Sequence, residues 1–236
     1  GLAALWAAGR LVMAIGGVMP RAVAPIVDLA FLPALALAIG LPIVRSKNWR
    51  NLAFVPLLLA LFGANLAFHL TGSMRPFRVA LDLILVIVLL VGGRVIPMFT
   101  GNAIRAEVKK RPWLDWASVL SMAPVTVLEL VPGAERAYAF SAIAAGVLAF
   151  ARLVGWRTPA TRSLPIVWVL HVAWAWIAVG LVLSGITAVV PLGIPNAPMH
   201  ALAVGAVSTM ILGMMTRVSL GHTGRMLVVP RVVTAG

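Results

Sequence analysis

The chain contains no cysteine, one tyrosine and six acidic residues set against nineteen lysines and arginines. The missing thiols exclude disulfides, thiolate metal sites, Cys-ligated iron–sulfur clusters and covalent haem attachment through a Cys-x-x-Cys-His motif. Charge of either sign is scarce: 11% of residues are charged and 62% are hydrophobic, whereas soluble domains carry about 25% and about 45–50%. A soluble domain is therefore excluded. Segments of about ten residues alternating apolar and polar, the mark of a membrane β-barrel, are missing as well. Helices and closed barrels are the only structures that satisfy the backbone in lipid, so the chain is expected to be an all-α, polytopic transmembrane helix bundle. No basic n-region with a small-residue cleavage site is visible, which leaves no signal peptide to read. The first residue is Gly1 rather than Met, which leads to the expectation of a segment of a longer chain.

Apolar stretches of about 20 residues, each enough to cross roughly 30 Å of hydrocarbon as a helix, recur from end to end. Eight spans are predicted, near 1–19, 22–43, 51–71, 77–99, 114–131, 136–155, 165–190 and 199–220. The connections are short and marked by proline and glycine, which implies antiparallel neighbours in a single transmembrane domain over 1–236. Span eight carries Ala201, Gly205 and Ser208 at helical spacing, a small-residue face for close helix contact. Pro97 follows Gly93 by one turn. It removes a backbone hydrogen bond and is expected to kink or end span four near Arg94.

The net charge of +13 would suggest nucleic acid for a soluble protein, but there is no soluble basic face to hold it. The partner is the bilayer. Arg45, Lys47 and Arg50, then Arg105, Lys109, Lys110 and Arg111, then Arg152, Arg157 and Arg162, then Arg217, Arg225 and Arg231 follow the even-numbered spans. Only Arg21, Arg75, Arg78 and Arg136 lie on the other side, while Arg10 and Arg94 fall inside spans. By the positive-inside rule this asymmetry puts both ends of the chain in the cytoplasm.

Ionisable residues at membrane depth are costly, so each is a functional candidate. The orientation sorts them into an outer layer of Asp28, His69, Asp82 and His200 and an inner layer of Arg94, His171, Arg217 and His222. Histidine is a common ligand of haem iron and copper. His69, His171, His200 and His222 are accordingly the metal candidates, paired by depth as His69 with His200 and His171 with His222. Each is equally readable as a hydrogen-bonded packing residue, and His222 lies past a helix end, where a surface role suits it. Met199, Met210, Met214 and Met215 offer soft thioethers, although methionine is also a common core filler. Trp174 lies one turn from His171, where it packs against a cofactor or simply fills space. Asp28 and Asp82 read as proton carriers or as partners of Arg21, Arg75 or Arg78. Arg94 and Arg217 read as cations for an anionic group, such as a haem propionate, or as helix-end anchors.

Two stretches carry a resemblance. The first is Gly92-Gly93-Arg94-Val95-Ile96-Pro97-Met98-Phe99-Thr100 with Asn102 and Arg105; the second runs from His200 through Gly205, Met210 and Thr216-Arg217 to Gly221-His222-Thr223-Gly224-Arg225. Supporting matches are Ala64 to His69, and Trp168-Val169-Leu170-His171 followed by Ala175-Trp176. Together they resemble the NnrS family of bacterial cytoplasmic-membrane proteins, over essentially the whole chain. The resemblance implies haem and copper as cofactors, nitric oxide or another small diatomic as ligand, and a role in the nitric oxide (nitrosative) stress response or denitrification. It also implies a longer protein of about twelve spans, and it matches all four histidines to family positions without saying which hold metal. The family's early Trp-His-x-His-Glu motif is absent here. Two other readings stay open on the residues alone: a transporter or channel using Asp28, Asp82 and a broken fourth helix, and a membrane redox enzyme related to haem–copper oxidases or nitric oxide reductases.

Overall fold

The computed structural model describes residues 1–15, 20, 22–109 and 111–223. Arg21, Lys110, Gly224, Arg225 and Arg231 lie outside the described residues. Among those described, no strand occurs. The helices are α1 Leu2–Ala14, α2 Val23–Arg45, α3 Phe54–Thr71, α4 Met74–Ile104, α5 Pro112–Leu120, α6 Met122–Leu128, α7 Glu135–Val154 and α8 Pro165–Val189. The last is α9, Ala197–His222. The chain divides into two compact units, Gly1–Leu83 and Ile84–Gly236, with the division falling inside α4.

Among the described residues six helices, α2, α3, α4, α7, α8 and α9, are long and apolar enough to cross a membrane. This corrects the expectation of eight. The described part of α1 is only 13 residues long. The fifth predicted span is two pieces, α5 of nine residues and α6 of seven. The interruption has a local cause. Pro124 has no N–H to give the carbonyl of Leu120 and its ring crowds that turn, so the α-helix stops at Leu120 and restarts at Met122. Both pieces pack along α7.

Proline acts differently in α4, which does not end near Arg94, one of the two outcomes the sequence offered. It continues seven residues beyond Pro97 to Ile104, for 31 residues in all. Helices tolerate such prolines where neighbouring groups compensate the freed backbone. Here the Arg152 guanidinium packs against Gly93, whose carbonyl Pro97 leaves without its helical donor, and its Nη1 donates to the carbonyl of Leu89 one turn earlier at 3.3 Å. Prolines at the starts of α5 and α8 are placed where a missing N–H costs nothing.

In the first unit α2 packs between α1 and α3. α3 closes at Gly72, whose φ of 63° is the left-handed conformation that glycine adopts without strain. The second unit is built around α8, the most buried of the long helices, with α7 and α9 packed on it. Close approach of α7 and α8 depends on small residues: a Cβ on Gly146 would stand 2.9 Å from the carbonyl of Ala178, and one on Gly185 2.6 Å from that of Ala139. The expected small face of α9 is used in part. Gly205 sits against the Trp176 ring and Ala201 is buried, but Ser208 is exposed. Between Ala201 and Ser208, α9 widens into a π-helix, a form that often marks functional sites.

Candidate functional site

In the first unit three donors converge on one buried carboxylate. Asp28, on α2, is 6% exposed. Asn65 Nδ2 donates to its Oδ2 at 2.8 Å and His69 Nε2 lies 3.1 Å from the same oxygen, both from α3. Arg10, on α1, forms an ion pair with Oδ1. A carboxylate paired with a guanidinium is ionised and accepts only, so the proton of His69 is on Nε2 and Nδ1 is the remaining position. The depth assignment that grouped Asp28 with His69 matches this contact. Of the two readings offered for Asp28, proton carrier or ion-pair partner, the structure shows an ion pair, among the described residues with Arg10; Arg10 directly follows Gly9, the small residue that lets α1 lie on α2, and Arg21 lies outside the described residues. A Cβ at Gly9 would be 3.3 Å from the Cα of Asp28. Asp82, the other carboxylate of the predicted outer layer, is also buried.

The second unit holds a larger cluster. His171 on α8 is 1% exposed. Its Nε2 lies 2.8 Å from Thr100 Oγ1 on α4, and its Nδ1 lies 2.9 Å from Thr158 Oγ1 in the short 3-10 turn Thr158–Thr161. Both ring nitrogens are therefore engaged, and an axial bond from His171 to a metal would have to displace a threonine. Trp156 meets the imidazole edge to face at 6.1 Å and packs, tilted by 60°, on the Trp174 ring at 4.6 Å. Trp174 is fully buried and donates Nε1–H to the carbonyl of Ala149 at 2.9 Å. Here it fills space beside the cluster.

Arg152 completes that cluster. Reading the charge pattern made it one of the surface residues that set topology, but it is 4% exposed. Its guanidinium pairs with Asp115 at 2.9 Å, donates to Ser118 Oγ at 2.8 Å and lies 4.9 Å from the Trp174 ring centroid. Sequence reasoning missed it because a basic residue in the last turn of a span looks like a snorkelling anchor. The available signal was Gly92-Gly93, a gap in the α4 surface that only a neighbouring side chain explains.

His200 is exposed at the turn before the π-helical segment. Its Nδ1 is 2.9 Å from the carbonyl of Asn196. A carbonyl accepts only, so the proton sits on Nδ1 and Nε2 is left without a partner among the described residues; metal-ligating histidines commonly donate their other ring N–H to a carbonyl in this way. His222 is exposed in the last turn of α9, and Arg94 is exposed on α4. Arg217 lies over the Phe99 ring at 3.9 Å. Of the thioethers, Met210 is buried and Met215 exposed. Among the described residues no group of three or more His, Cys, Asp or Glu gathers where it could hold a metal ion.

Six helices of crossing length, with ion pairs and hydrogen-bonded histidines set inside them, define a polytopic membrane protein. The family described as NnrS protein matches residues 1–236, the whole chain, and the chain belongs to it. Membership places it among membrane proteins related to the nitric oxide response. No curated protein matches the chain, and no solved structure does.

Proposed function

We propose that this chain is part of a haem-binding protein of the bacterial cytoplasmic membrane that acts in the nitric oxide stress response or denitrification. The observation that supports it is His200, with its tautomer set by the Asn196 carbonyl and Nε2 left without a partner among the described residues. That nitrogen would be available to hold haem iron. Bound haem would supply an iron centre able to take up a diatomic ligand such as nitric oxide. His69 is the second candidate, because Asp28 holds its Nε2–H and leaves Nδ1. Arg94 and Arg217 are the cations available to an anionic edge of the group. His171 is the weakest of the buried candidates, since both its nitrogens are occupied. Copper rests on the family resemblance alone; the described residues supply no three-donor set for it, and no step is assigned to it.

The excess of basic residues after the even-numbered predicted spans supports cytoplasmic ends. The transporter reading leaned on a fourth helix broken at Pro97, and α4 is continuous there.

The test is an absorption spectrum of purified full-length protein, oxidised and then dithionite-reduced, with metal analysis on the same sample. A Soret band that shifts on reduction is expected, and His200→Ala should lower haem per protein by more than half. Iron-free, colourless protein prepared with haem supplied would overturn the reading. A folded His200→Ala variant with unchanged haem would move the ligand to another histidine.

A further inference from the structure

The turn that closes α4 is built on an arginine where glycine is easier. Ala106 N–H donates to the carbonyl of Gly101 at 3.2 Å. This is the six-to-one bond of a Schellman closure, and it puts the residue before the donor in the left-handed region. That residue is Arg105, with a φ of 50°. An L side chain is strained there and glycine is not. Lys47 and Arg157 share this backbone, at 52° and 54°. All three follow even-numbered predicted spans, whereas Gly72, Gly133 and Gly193 take positive φ after odd-numbered ones. Strain of this kind persists where the side chain has a use.

Beyond Arg105 the chain turns back onto α4. Val108 is buried, and a Cβ on Gly101 would stand 3.7 Å from its Cγ2. The last turns of α4 and this segment line a cavity of about 640 Å³, whose polar residues are Asn102, Arg105, Glu107 and Lys109. Two cations, a carboxylate and an amide therefore share one space, and none of them is used by the haem reading. Among the described residues Glu107 forms no ion pair with Arg105 or Lys109.

The lining says what a ligand must carry. A phosphate offers several acceptor oxygens at once, so it takes donors from an arginine, a lysine and an amide together. Pockets of about 300–1,000 Å³ hold drug-sized ligands, so the space exceeds a bare phosphate and admits an ester. Glu107 would repel a purely anionic ester and would hold one that also brings a cation. We propose that this cavity binds a phosphate ester bearing a primary ammonium group, with the phosphate on Arg105 and Lys109 and the ammonium on Glu107. The headgroup of phosphatidylethanolamine and a soluble phosphoethanolamine ester share this chemistry.

The test reads binding and does not depend on haem. Tritiated dioleoylphosphatidylethanolamine is titrated into full-length protein in detergent, with protein-free micelles as the blank. Saturable binding is expected. Dioleoylphosphatidylglycerol keeps the phosphate and lacks the ammonium, and should compete at least about fivefold less well. Arg105→Gly should weaken binding about tenfold, roughly the effect of one hydrogen bond to a charged group. Its thermal unfolding midpoint should not fall, because glycine suits that backbone. Glu107→Gln should weaken binding of the ethanolamine lipid and leave that of the glycerol lipid unchanged. Glycerophosphoethanolamine, the headgroup without acyl chains, separates the sources: displacement at comparable concentration assigns the site to a soluble ester, and weaker displacement assigns it to lipid. Absence of saturable binding, equal competition by the glycerol lipid, or unchanged binding to Arg105→Gly overturns the proposal. The competition arm needs no variant to fold.

Discussion

The guanidinium of Arg152 occupies the space that a side chain on Gly93 would fill. Charge on α7 is thereby laid directly against the backbone of α4, at the turn that Pro97 leaves one hydrogen bond short. Glycine is required there by a neighbour rather than by a turn, since α4 is helical through this region.

Gly93→Ala is accordingly expected to lower stability by about 1–3 kcal/mol, the usual cost of overpacking. Gly92→Ala should cost less, because its Cβ would come no closer than 3.3 Å to the edge of the Trp174 ring and 3.6 Å to Ile96. Thermal unfolding of the two variants in detergent checks the order; equal midpoints would contradict the assigned position of Arg152.

The pair between Arg152 and Asp115 is asymmetric: the arginine side chain is 3% exposed and the aspartate 40%. Removing the exposed partner strands the buried charge, and a stranded buried charge costs about 3–5 kcal/mol. Asp115→Asn should therefore destabilise more than Arg152→Met, and the double variant should recover part of the loss. A double variant worse than Asp115→Asn alone would contradict this.

The same reasoning ranks the Asp28 cluster, where the arginine side chain is 54% exposed and the aspartate 5%. Arg10→Ala strands the buried carboxylate, which keeps only Asn65 and His69 as donors, and should cost about 3 kcal/mol or more. Asp28→Ala removes the shared acceptor of Asn65 and His69 inside the unit and should cost about 2 kcal/mol or more. Detergent unfolding midpoints for the two variants test the ranking.

Crossing by the α5–α6 segment is testable because the chain has no cysteine of its own. Placing Lys109 and Ala134 on opposite sides of the membrane keeps the basic residues concentrated on one face, which favours a crossing made of two short helices. In cells, Ala134→Cys is expected to react with a membrane-impermeant maleimide added outside, and Lys109→Cys only after permeabilisation. Labelling of both from one side would make α5 and α6 a re-entrant pair.

Much of the architecture was legible in advance. Long apolar runs set α2, α3, α7 and α8 to within a few residues, because hydrocarbon leaves the backbone no alternative to internal hydrogen bonding. The two prolines show where local reading stops. Pro97 and Pro124 remove the same kind of bond, yet α4 continues through one while the α-helix is interrupted before the other. One turn before Pro97, against Gly93, lies the Arg152 guanidinium of α7, which the local pattern does not reveal.

The histidines divide in the same way. Composition alone determined a cysteine-free helical membrane protein whose metal ligands, if any, must come from histidine, methionine and carboxylates. The motifs around His200 and His222 determined the family. Tertiary structure decided which imidazoles remain available: Thr100 and Thr158 close both nitrogens of His171, Asp28 takes one nitrogen of His69, and a carbonyl one turn away leaves Nε2 of His200 open. Hydrogen bonding to an imidazole depends on which helices meet at its depth, and that follows from packing between segments far apart in sequence.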